Sequence, residues 1–301
     1  MIAMVIPNGL SAFPITPADA GGVVDVVALR RLVARLGAAE VDSIGLLGST
    51  GSYPYLTRGE RRRATDAALE DTAGRVPVLV GIGALRTDET LALAQDAKAA
   101  GASAGLLAPV SYTPLTEDEV FEHFVTVAKS GLPLCVYDNF GTTHFTFRPA
   151  FVGRLSAIDG VVAFKGTAPG DAEIESHLAA LRGVAPNGFS VGASFDVNCT
   201  AAMIAGADVW YSVAGGLFPD RILAITRAVA AGDVAEARRL DAALSPLWDL
   251  CRDYSSLRVM YACFNLLGLG QSAPPRPILP LGDDAIRRIA EALESMDLLP
   301  H

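Results

Sequence analysis

The chain has 301 residues, 51% hydrophobic and 19% charged, which is ample apolar material for a large core and excludes a disordered chain. A net charge of −9 with no dense Lys/Arg run argues against a nucleic-acid surface, which needs clustered cations to displace counterions. Residues 1–14 (MIAMVIPNGLSAFP) carry no basic stretch ahead of the apolar one and nothing near the roughly 18 apolar residues of a membrane span, so a cytoplasmic protein with no membrane partner is expected.

In chain order, short apolar runs alternate with stretches of helical length. The predicted strands are 9–13 (GLSAF), 43–47 (SIGLL), 76–83 (VPVLVGIG), 103–109 (SAGLLAP), 132–138 (LPLCVYD), 160–165 (GVVAFK), 189–193 (FSVGA) and 208–213 (DVWYSV). Such an alternation predicts an α/β protein, a (β/α)8 TIM barrel over residues 1–231, closed by that number of parallel strands. Thr57-Arg58-Gly59-Glu60 and Thr116-Glu117-Asp118-Glu119 both match the capping box that starts a helix, and the helical stretches 87–101 and 196–206 end at a glycine. Beyond residue 231 a C-terminal helical extension, 232–301, is expected to pack on the barrel as one structural unit, with helices near 233–252, 255–267 and 282–296 around a Pro-rich crossing at 271–281.

Barrel enzymes place reactive groups at the C-terminal ends of their strands. Lys165 follows the apolar run 161–164, and an amine drawn into such a barrel loses solvation, which favours a nucleophile suited to a carbonyl. A strand-end lysine that reaches out to solvent is the competing reading. Tyr137 closes the fifth strand beside it, either to shuttle protons or to cap the core. Gly48-Ser49-Thr50-Gly51 follows the second strand, where small residues, two hydroxyls and backbone N–H groups suit a carboxylate. No Gly-Lys-Ser/Thr follows to make a nucleotide loop. Gly81-Ile82-Gly83 reads as a tight turn, and Asp138, Asp196 and Asp208 as helix caps or bases near strand termini.

Cys135, Cys199, Cys251 and Cys263 lack CxxC spacing and read as buried reduced thiols, while His123, His144, His177 and His301 show no ligand pattern, so neither metal nor cofactor is expected. GxSxG is absent, which disfavours a hydrolase triad.

Together these motifs resemble the dihydrodipicolinate synthase and N-acetylneuraminate lyase family of pyruvate-dependent class I aldolases. The likeness covers nearly the whole chain: AFPITP (12–17), ALRRLVARL (28–36), GSTG (48–51), VYDN (136–139), AFKGT (163–167), LLGLG (266–270) and RPILPL (276–281). The resemblance implies that Lys165 forms an imine with a small-molecule 2-oxo acid of the pyruvate type, that Tyr137 relays protons, and that Ser49, Thr50 and the loop flanked by Gly48 and Gly51 hold the carboxylate. It also implies a homo-oligomer, a tetramer or its constituent dimer. Several positions depart from the family pattern. Ser52-Tyr53 replaces the usual acidic residue, Thr142 stands near the position where the synthases carry an arginine for the second substrate's carboxylate, and Gly166 follows the lysine in place of an acidic or bulky neighbour. Tyr211 takes the place of an aliphatic residue against the pyruvate methyl. Where the synthases carry a tyrosine supplied across a subunit interface to the relay, this chain has Ser111, with Tyr112 one residue later: either Tyr112 substitutes in the relay through a local shift, or the relay is shortened. The activity implied is that of an aldolase or dehydratase on a 2-oxo acid, such as a 2-oxo-3-deoxy sugar acid, or an aromatic oxo acid for which Tyr53, Phe140 and Phe145 would be suited. The alternatives are 4-hydroxy-tetrahydrodipicolinate synthase proper and a non-catalytic oxo-acid-binding paralogue.

Overall fold

The computed structural model describes residues 6–299; residues 1–5 of the N-terminal stretch, and His301, lie outside the described residues. Eight parallel strands close into a barrel in sequence order: β1 (Gly9–Ala12), β2 (Ser43–Leu46), β3 (Val78–Gly81), β4 (Ala104–Leu107), β5 (Leu134–Tyr137), β6 (Val161–Thr167), β7 (Ser190–Ser194) and β8 (Val209–Ser212). Each predicted strand is present, usually shorter at its ends, while β6 runs two residues past Lys165.

The helices are α1 (Val26–Ala38), α2 (Arg58–Thr72), α3 (Thr87–Ala100), α4 (Glu117–Ala128), α5 (Phe140–Thr143), α6 (Pro149–Ser156), α7 (Ile174–Arg182), α8 (Asp196–Ile204), α9 (Pro219–Ala230), α10 (Val234–Ala243), α11 (Ser245–Tyr254), α12 (Ser256–Leu266) and α13 (Asp283–Ser295). In α1, Leu29, Leu32, Val33 and Leu36 recur at helical spacing and are buried against the strands. Burying each such side chain contributes about 1.5–3 kcal/mol. The Thr116–Glu119 box forms in full. The Thr57–Glu60 box forms by half: the Thr57 hydroxyl accepts from the Glu60 N–H at 3.2 Å, but the Glu60 carboxylate accepts instead from the Val24 N–H (2.7 Å) and from Arg63. A tertiary donor outcompetes the local one, and it ties α2 to the loop before α1.

The single helix expected over 233–252 is two helices. Pro246, in the first turn of α11, has no N–H to continue the ladder of α10, so the chain turns at Leu244. Leu247, Trp248, Val259, Phe264, Ile289 and Leu293 of the C-terminal helices join the same buried cluster as the outward faces of the strands. All four cysteines are buried and free. Among the described residues no helix is long and apolar enough to cross a membrane.

Alternation along the strands sends every second residue inward. Phe13, Leu79, Leu106, Cys135, Tyr137, Ala163, Val209 and Tyr211 fill the barrel as a separate cluster. In β6 the same alternation turns Phe164 outward onto the helices and Lys165 inward.

Candidate active site

Tyr137 and Lys165 are register partners on β5 and β6, and the Asp138 N–H donates to the Lys165 carbonyl at 2.9 Å. Lys165 is 5% exposed, so it does not reach out to solvent. Its Nζ lies 3.7 Å from the centre of the Tyr137 ring, 5.3 Å from that of Phe13 and 5.9 Å from that of Tyr211. Among the described residues no carboxylate stands within ion-pair distance of this amine, leaving π faces as its main company.

The Tyr137 hydroxyl meets the Ser49 hydroxyl at 3.2 Å, and the Asn139 amide nitrogen donates to both, at 2.9 Å to Tyr137 and 3.0 Å to Ser49. Two residues on the β5 end and one on the β2 loop therefore converge across the barrel mouth. Asn139 was not singled out from the sequence, although it stands in the VYDN stretch; its signal was proximity to Tyr137, and only the path of the chain after β5 turns its side chain back over the barrel.

The loop 48–51 is bracketed by Leu47 and Ser52, non-glycine residues both held at φ 56°, a left-handed conformation uncommon for residues with a β-carbon. Gly48 is required by its neighbour: a β-carbon there would stand 2.7 Å from the Phe13 ring. Thr50 and Gly51 are buried. Among the described residues none accepts a hydrogen bond from the backbone N–H groups of Ser49, Thr50 or Gly51, so the loop offers donors to an anion at the rim of the same mouth.

Around this centre the sequence-derived candidates divide. Tyr211 is 1% exposed, with its ring edge-on to Phe13 at 5.9 Å and its hydroxyl 3.6 Å from Cys135 Sγ, and it forms part of the wall around Lys165. Burial pushes the Tyr211 phenol well above its ordinary range and the Cys135 thiol up to about 12. Tyr112 lies outside the site of its own subunit: it is 97% exposed on the loop after β4, and the Ser111 hydroxyl spends its bonds on the Thr113 carbonyl and N–H. The phenol that the resemblance implies for a relay across a subunit interface thus points away from its own barrel.

Tyr53 is buried beneath the Arg61 guanidinium, which lies 5.1 Å from its ring centre and donates to the carbonyls of Gly81 (2.7 Å) and Gly83 (3.0 Å). Burial lowers Arg61 to about 10. Gly81-Ile82-Gly83 is thus an anchor for α2 as well as a turn. Phe145 packs with Phe147 and Phe151 at 4.9 and 5.6 Å between ring centres, in the outer core and not at the mouth, so it is unsuited to contact a substrate. Phe140 is 59% exposed. Gly166 has a structural cause, because a β-carbon there would stand 2.4 Å from the folded-back Phe164 ring.

Of the strand-end carboxylates, Asp196 accepts from the Trp210 indole (2.7 Å) and from the N–H groups of Val213 (3.1 Å) and Ala214 (3.0 Å), which locks the loop after β8. Asp208 precedes β8 and pairs with Arg182 at 2.7 Å, at the end of the barrel opposite the reactive one. Asp138 differs from both. Its carboxyl is half-buried and makes no side-chain hydrogen bond among the described residues; burial raises it to about 6, against the pull of the Lys165 charge. Among the described residues no group of three or more His, Cys, Asp or Glu side chains is placed to hold a metal ion.

Comparison with known proteins yields one family. A model of the dihydrodipicolinate synthetase family matches residues 6–296. The 4-hydroxy-tetrahydrodipicolinate synthase of Methylococcus capsulatus is 31% identical over 286 residues, 94% of this chain and 97% of that protein. A protein of the same name from Thiobacillus denitrificans is 31% identical over 287 residues, 95% of each chain. The crystal structure of a dihydrodipicolinate synthase from Agrobacterium tumefaciens superposes with a TM-score of 0.94 at 54% identity, covering 96% of this chain and 98% of that one. The dihydrodipicolinate synthase from Aquifex aeolicus gives 0.89 at 26% identity, covering 97% and 98%.

Proposed function

As the chain belongs to the dihydrodipicolinate synthetase family and is a class I lyase, we propose that it acts on a pyruvate-type 2-oxo acid through an imine on Lys165, as an aldolase or dehydratase. The observation that carries this reading is the Lys165 amine, buried and 3.7 Å over the ring of a tyrosine whose hydroxyl is bonded to Ser49. The substrate carboxylate sits on the N–H groups and hydroxyls of Ser49 and Thr50, between Gly48 and Gly51, where preorganised donors offset its charge. The unprotonated amine adds to the 2-oxo carbon, the carbonyl π pair moves to oxygen, and one amine proton passes to that oxygen to give the carbinolamine. As the carbinolamine nitrogen forms the C=N bond, the hydroxyl departs as water with the Tyr137 proton; the phenolate then takes the Ser49 proton, and solvent restores Ser49. The resulting iminium draws electrons from the adjacent carbon, which is what a lyase requires to break or form a bond there. Tyr211 and Phe13 keep bulk water from the amine.

After β5 the chain carries Asp138, Thr142 and His144, with no arginine before Arg148, groups that match hydroxyls better than a second carboxylate. That favours a hydroxylated 2-oxo acid over aspartate semialdehyde. The second reading, 4-hydroxy-tetrahydrodipicolinate synthesis, is supported by the names of the relatives. Intact mass after incubation with pyruvate and borohydride tests the shared premise: a pyruvate-sized gain in the wild type and none in Lys165→Ala is expected, and no gain with pyruvate or longer 2-oxo acids would leave the chain a non-catalytic paralogue. Turnover of pyruvate with aspartate semialdehyde, set against cleavage or dehydration of 2-oxo-3-deoxy sugar acids, separates the two readings.

A further inference from the structure

We propose that Asn139 closes the proton relay within a single subunit, so that imine formation needs no side chain from a second copy of the chain; this rests on the imine reading above. The three polar atoms form a closed triangle, with Asn139 Nδ2 at 2.9 Å from the Tyr137 hydroxyl, 3.0 Å from the Ser49 hydroxyl, and those two 3.2 Å apart. Its hydrogens can be counted. The amide brings two and each hydroxyl one, and a three-edged triangle uses three of the four. Both amide hydrogens are spent on the hydroxyls and one hydroxyl hydrogen bridges them, which leaves one to point out of the triangle at the reacting atoms. An amide neither gives up nor takes a proton near neutrality, so Asn139 holds the two hydroxyls in relay contact without joining the transfer, as a positioning residue.

The place of a third group beside Tyr137 and Ser49 is thereby filled in cis. Tyr112, the phenol that the chain could lend to a second copy, is 97% exposed and takes no part in this triangle. The backbone at 139 is held independently of the side chain: its carbonyl accepts from the N–H groups of Thr142 (2.9 Å) and Thr143 (3.0 Å) and from their hydroxyls (3.2 and 3.1 Å). Replacing the amide therefore removes the two donations and spares the turn.

The experiment is the rate of borohydride-trapped pyruvate adduct formation by the full chain as a function of pH. Asn139→Ala and Asn139→Asp, the latter an isostere that accepts but cannot donate, are expected to slow adduct formation about 10- to 100-fold and to displace its pH profile. The final extent of labelling stays at the wild-type level because Lys165 remains. Tyr112→Phe is expected to match the wild type, and the rate per subunit to stay constant on dilution through any dissociation of an assembly. Wild-type rates and pH profile in both Asn139 variants, a slowed Tyr112→Phe, or a rate per subunit that falls as subunits separate would each overturn the proposal while leaving the imine reading intact. A wild type that forms no adduct overturns both.

Discussion

Strand β6 has two faces, and consecutive residues show how differently they are built. Phe164 looks outward into Phe147, Phe145 and Phe151, rings 4.9–6.3 Å apart at their centres, with no polar group to satisfy. Lys165 looks inward at Tyr137, Phe13 and Tyr211, rings whose centres lie 3.7–5.9 Å from an amine that lacks a carboxylate partner among the described residues. On the outer face aromatic packing supplies stability. On the inner face aromatic surface strips water from a reactive group, which is useful for chemistry and unhelpful to folding.

Substitutions on each face sharpen the contrast. Phe151→Ala empties a site in the outer cluster and is expected to lower unfolding free energy by about 3–5 kcal/mol in denaturant titration, while the folded fraction still forms the pyruvate adduct. Lys165→Met abolishes the adduct, yet it removes a buried amine with no ion pair and is expected to leave stability unchanged or raise it by about 1 kcal/mol in the same titration. A loss as large as that of Phe151→Ala would mean the inner face is a stabilising core after all.

Asp138 gives the smallest and most conditional effect. An unfolded aspartate ionises near about 3.9, the folded one at about 6. Between those values the native state holds the extra proton, so this group's contribution to stability falls as pH rises through that window. Asp138→Asn is expected to flatten that fall, by on the order of 1 kcal/mol, as read from melting curves taken across the window. His123 works in the opposite sense: burial lowers it to about 4, so its contribution is lost as pH drops from its ordinary range toward that value. A double variant with His123→Gln separates the two slopes.

The strand count and the placing of Lys165 and Tyr137 at neighbouring strand ends were legible in the residues, because the end of an apolar run is a local property of a chain, whereas the inward direction of Lys165 stood open against solvent until the barrel closed. Legible too was the GSTG loop, whose glycines announce a close approach before the approaching ring, Phe13, can be known. What the sequence could not hold is any choice between competing partners. Glu60 serves Val24 and not its own helix cap because the tertiary fold brings a better donor; Phe145 leaves the mouth for the outer core because three other rings wait there; Tyr112 turns to solvent while Asn139 turns in. Sequence position fixes which strand end a side chain leaves from, over a few ångströms. Where it arrives depends on a loop's path and on the packing of elements distant in the chain, and those exist only once the barrel has closed.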